Sequence, residues 1–189
     1  MITDPIPRTS ARRRSYLRSD ELCQLMLPAE TSLQPLAEAI SAALAGDNRL
    51  AVAAACAAFA VVVAGTYNAP APPVSVLGVR PHRSERGRCV YEKFGDYDLK
   101  TSQIRVWMRT AKRREVTAYG TLLSTFCHEL CHHLDVVSLG LPDSPHTRGF
   151  FERAGLLYHR ARGSPQRRLV WLLLPDGRYR IDWRRTMGR

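Results

Sequence analysis

The 189-residue chain is short of acid: 17 Asp and Glu stand against 28 Lys and Arg, a net charge of +11. It has no CxxC pair, and its five cysteines, Cys23, Cys56, Cys89, Cys127 and Cys131, are odd in number and scattered. That pattern excludes a disulfide scaffold, which needs denser cysteines in a shorter chain, and makes reduced thiols in a cytoplasmic protein the expectation. No apolar run reaches the ~20 residues of a membrane-spanning helix. "LAVAAACAAFAVVVAG", residues 50–65, is sixteen residues long and Ala-rich. It reads as a buried helix, and no stable membrane association is expected. The first residues, "MITDPIPRTSARRRSYLRSDE", have no apolar centre and do not read as a secretory signal. No internal repeat is visible.

What is present is ordinary for a globular protein. Hydrophobic residues make up 45% and charged residues 24%, which excludes global disorder and allows one domain with a sizeable core. The charge excess is confined to the ends. Residues 1–19 hold five Arg and one Asp, and residues 160–189 hold nine Arg and two Asp. The middle is neutral. Residues 1–19 read as a basic, flexible arm and 20–189 as one domain. Basic ends are a common means of staying near DNA or another polyanion, and equally serve solubility.

Leu33, Leu36, Ala37, Ile40 and Leu44 recur at helical spacing, and 49–64 continue as a second helix after a "GDN" turn. "NAPAPP" at 68–73 must end it. Strands are expected at 74–79, 88–94 and 103–109, forming a small, mainly antiparallel sheet. Trp107 on the last of these is core, or else marks a sheet edge where an extended peptide could add. A helix over 116–138 has Leu123, Phe126, Leu130, Leu134 and Val137 along one stripe, with His128, His132 and Asp135 opposite. A helix from 146 and a hairpin around "PDG" close an α+β chain.

"TFCHELCHHLD", 125–135, carries HExxH. Two His four apart on a helix share a face and can bind one zinc ion. Glu129 beside them can take a proton from a zinc-activated water and pass it to a leaving amine. By composition, a chance match arises in roughly one sequence in a hundred. A catalytic zinc takes a third protein ligand. His146 is preferred, Glu152 is the alternative, and Asp135 fits better as an outer group that orients a ligand His. His133 and the neighbours Cys127 and Cys131 read as structural. "RTAKRRE", 109–115, reads as a solvated charge run. Tyr119, Tyr158 or His159 could stabilise an oxyanion.

"HELCHH", followed fourteen residues after His132 by His146 in "HTRGFF" with Phe150 behind it, resembles the SprT-like metallopeptidases, which include the Spartan-type proteases. The resemblance covers roughly 74–160. It implies a zincin-like α+β fold, zinc on His128, His132 and His146, Glu129 as general base, and a protein or peptide substrate, including proteins crosslinked to DNA. The competing reading is a nucleic-acid-associated binding protein whose metal site is structural or degenerate.

Overall fold

The computed structural model describes residues 1–28, 32–85 and 88–188; the side chain of Cys89 lies outside what is described. The first helix, α1 (Ser10–Glu21), falls within and just beyond the segment expected to be a flexible arm. Its Tyr16 and Ser19 are buried. Residues 1–4 are also tied down, through an antiparallel bridge from Ile2 to Arg180.

Helices α2 (Gln34–Ala45) and α3 (Arg49–Gly65) pack together as a hairpin. Pro35 sits in the first turn of α2, where a missing N–H costs nothing. Asn48 caps α3, its side chain accepting from the Ala51 N–H at 3.0 Å. Among the described residues, no helix is long and apolar enough to cross a membrane. Helix α3 buries Val52, Cys56, Phe59, Ala60 and Val63 instead.

Next come β1 (Val74–Val79), the hairpin β2 (His82–Glu85) and β3 (Arg88–Glu92), then β4 (Gly95–Tyr97) and β5 (Ile104–Arg109). The main sheet has the order β1-β5-β4, with β1 parallel and β4 antiparallel to β5. It is therefore mixed, and antiparallel pairing dominates only when the two hairpins are included. The edge reading of the Trp107 strand is overturned. Strand β5 is central, Trp107 is 9% exposed, and β4 is the edge beside the following helix.

That helix, α4 (Tyr119–Val137), crosses the sheet and leads through a turn to α5 (Arg148–Arg162). Thr147 caps α5 by accepting from the Phe150 N–H, and Gly163 ends it at φ 60°, a left-handed geometry that glycine adopts without strain. Strands β6 (Trp171–Leu173) and β7 (Tyr179–Ile181) form the closing hairpin, followed by the short α6 (Trp183–Thr186).

The main core lies between the α2–α3 pair, the sheet and α4. Ile40, Phe59, Ile104, Val106, Phe126 and Leu130 are all fully buried there. Phe59 and Phe126 meet edge to face at 5.6 Å, an arrangement worth about 1 kcal/mol beyond area burial. The stripe expected on α4 holds at Leu123, Phe126, Leu130 and Leu134 and fails at Val137, which is 37% exposed at the last turn. The opposite side of α4 is not solvated either. Asp135 and His133 are fully buried, because β4 and α5 pack over that side.

Candidate metal centre

Helical geometry sets His128 and His132 one turn apart on α4, and the α4–α5 turn folds His146 back over them. His146 Nε2 lies 3.0 Å from His128 Nε2 and 3.2 Å from His132 Nε2. Metal–nitrogen bonds of ~2.0–2.1 Å at tetrahedral angles place ligand nitrogens about 3.3 Å apart. The observed spacing fits. These three are the one group of histidine, cysteine or acidic side chains among the described residues placed to hold a metal ion. Phe150 forms the floor, with its ring centroid 4.8, 4.4 and 5.1 Å from those of His128, His132 and His146.

The hydrogen bonds decide which nitrogens carry protons. Arg153, fully buried, donates to both carboxylate oxygens of Asp135 at 2.8 and 2.9 Å. Ser144 Oγ donates to Asp135 Oδ2 at 3.0 Å and accepts at 2.7 Å from His132 Nδ1. The His132 proton is therefore on Nδ1, and Nε2 presents a bare lone pair. His146 Nδ1 faces Asp4 Oδ2 at 3.5 Å. A proton on Nδ1 would face that acceptor, and the Nε2 side of the ring is directed at His128 and His132.

Burial favours the neutral form of His128 and His132, which is the form that binds metal. It pushes the His128 pKa down to about 3, with repulsion from His146 adding to the effect. His132 is held well below the ordinary histidine range, first by burial and then by the other two rings. The bond to His146 is the main cause of a lowered Asp4 pKa.

Glu129 is 6% exposed, and burial raises its pKa to about 8; nearby Asp96 pushes the same way and Lys93 opposes. It faces β4 so closely that a Cβ on Gly95 would lie 2.9 Å from Glu129 Oε1 and 2.6 Å from Thr125 Cγ2. Only glycine lets the edge strand approach the carboxylate this far.

The remaining candidates fall as follows. Glu152 is not in the histidine cluster; its carboxylate accepts from the Leu169 backbone and the Trp171 side chain. Asp135 reaches His132 through Ser144, as an outer group. His133 is structural: Nε2 donates to Pro70 O at 2.8 Å, so Nδ1 accepts from Tyr97 Oη at 3.2 Å. Cys127 and Cys131 are fully buried in packing. The solvated run expected at 109–115 holds only for Lys112 to Glu115; Arg109 ends β5, Arg109 and Thr110 are half-buried, and Ala111 is buried. None of the expected oxyanion donors is near the cluster. Tyr119 donates to Ala37 O, the Tyr158 hydroxyl lies beside Gly120 two turns up α4, and His159 bonds Ser164.

Sequence reasoning missed Asp4, Ser144 and Arg153. Arg153 had a signal, since it stands three residues after Phe150 on the apolar side of α5, where a charge needs a buried partner. Asp4, 142 residues from His146, had none. Compared with known proteins, the chain matches no family model, no curated protein and no solved structure.

Proposed function

We propose that the protein is a zinc-dependent metallopeptidase with a zincin-like active site resembling that of the SprT-like enzymes. The observation that carries this reading is the convergence of the Nε2 atoms of His128, His132 and His146 beside a buried glutamate. A bound zinc would supply a Lewis acid that makes water acidic at neutral pH and polarises a carbonyl. His128, His132 and His146 would hold it. Glu129 would take the proton of the attacking water. Glu129 would then pass that proton to the leaving amine. An extended peptide would lie along the free edge of β4, beside the base, with its main chain continuing the sheet.

Among the described residues no fourth His, Cys, Asp or Glu joins the cluster. Three ligands leave a position open for substrate, which favours catalysis over a structural site. The two basic segments meet at the Ile2–Arg180 bridge, next to the Asp4–His146 contact. A polyanion such as DNA held there would bring its bound proteins close to the metal.

The test is elemental mass spectrometry of the purified protein beside His128→Ala and His146→Ala, then a protease assay with Glu129→Gln. The reading predicts about one zinc per chain, lost in both histidine variants, and proteolysis abolished in Glu129→Gln with zinc retained. A folded protein that takes up no metal refutes it. Zinc binding with no proteolysis of any offered protein, with or without DNA, favours the binding-protein alternative.

A further inference from the structure

We propose that Asp4 is a positioning residue for the metal centre, brought to His146 by residues 1–4, which pair with β7 through one antiparallel bridge. The inference rests on the three-histidine metal reading and extends it to the opposite end of the chain.

The bridged segment is held by several bonds. Thr3 N–H donates to Tyr179 O at 2.8 Å, Tyr179 N–H returns to Thr3 Oγ1 at 2.9 Å, and Ile181 N–H donates to Met1 O at 3.2 Å. Thr3 is 1% exposed. Asp4 then grips His146 from both sides of its peptide. Asp4 N–H donates to His146 O at 2.8 Å, and His146 N–H donates to Asp4 Oδ2 at 2.8 Å. The same carboxylate oxygen faces the ring at Nδ1, and Tyr16 Oη donates to Asp4 O at 3.1 Å.

Helix α1 continues the clamp. Ser19 Oγ and Thr147 Oγ1 are 2.9 Å apart, and Asp20 Oδ1 accepts from the Arg148 N–H at 2.9 Å. The turn carrying His146 is thus held by α4 through Ser144 on one side and by residues 3–20 on the other. His128 and His132 need no such help, because the helix backbone sets their spacing. His146 lies outside regular structure, so its ring direction depends on what holds its peptide and its Nδ1. Asp4 does both: its Oδ2 accepts from the His146 N–H and faces Nδ1, which leaves Nε2 directed at the other two rings. Asp4 acts only through His146.

The test measures zinc affinity by competition with a chromophoric chelator, together with the visible spectrum of the cobalt(II)-loaded protein. The chains compared are the wild type, Asp4→Ala, Asp4→Asn, His146→Ala and, as a charge control, Asp176→Ala at the exposed hairpin turn. Asp4→Ala should weaken zinc binding by about 10–100-fold and alter the cobalt spectrum. Asp4→Asn keeps an acceptor for the His146 N–H and should fall between, while Asp176→Ala should match the wild type. If Asp4→Ala does not fold, the near-isosteric Asp4→Asn decides. Wild-type affinity and an unchanged spectrum in the Asp4 variants, with binding still lost in His146→Ala, overturn this inference alone. A wild type that binds no zinc overturns the metal reading and this inference with it.

Discussion

Glu129 gives the sharpest quantitative expectation. Replacing it with Gln keeps the shape of the side chain and removes its titration. In the metal-free protein the carboxyl pKa rises from an ordinary 4.5 to about 8, chiefly through burial. The folded state then holds a proton that the unfolded chain gives up between those two values. A raised folded pKa contributes stability that is fully present below 4.5 and is lost as pH climbs through 8. At ~1.4 kcal/mol per pH unit over that window, the wild type loses about 4 kcal/mol between pH 5 and pH 9 from this one group. Glu129→Gln has no such loss. The other titrating groups, including the three clustered histidines, are common to both chains and largely cancel in the difference; Asp96 and Lys93, which act on Glu129 directly, shift it by less than burial does. The assay is urea unfolding of chelator-treated protein, wild type and variant, at pH 5, 7 and 9. The stability difference in favour of Gln should grow by about 4 kcal/mol across the series. Curves that stay parallel within about 1 kcal/mol refute the claim that burial penalises the charged form. Glu129 would then behave as an ordinary exposed carboxylate, poorly placed to keep a proton near neutral pH.

Three further outcomes are expected. Asp135→Ala strands the fully buried Arg153 without its carboxylate and should cost about 3–5 kcal/mol in urea unfolding, with much of the loss recovered in Asp135→Ala/Arg153→Met; a cost under about 1 kcal/mol would contradict the buried-pair account. Gly95→Ala drives a methyl into Thr125 Cγ2 and Glu129 Oε1, and should cost about 1–3 kcal/mol and reduce proteolysis, with Thr125→Ser restoring part of the stability; an unchanged melting temperature would show that β4 yields freely. Phe126→Ala empties the position packed on Phe59 and should cost about 3–5 kcal/mol by denaturant unfolding, against a smaller loss for Phe126→Leu; equal losses would mean that the cavity does not set the cost.

Much of this protein is determined by short stretches of its own sequence. Proline punctuation and apolar spacing place α2, α3, α4 and α5 within a few residues, because helix periodicity and capping are local properties. The pairing of His128 with His132 and the placing of Glu129 beside them are equally local, since four residues make one turn of helix. The burial of His133 and Asp135 was less legible, because α4 reads as one apolar stripe with a polar face. Only packing by β4 and α5 turns that polar face inward. The strand order was not legible either. Strand β5 is made central by its pairing with β1, which crosses 30 residues, and nothing in "QIRVWMR" distinguishes a centre from an edge. The metal centre itself divides along the same line. Two of the candidate ligands and the candidate base follow from one helix. The third candidate ligand, the carboxylate at position 4 that contacts it, and the Arg153–Asp135–Ser144 chain behind His132 come from distant segments, and their meeting depends on tertiary packing, which no local pattern encodes.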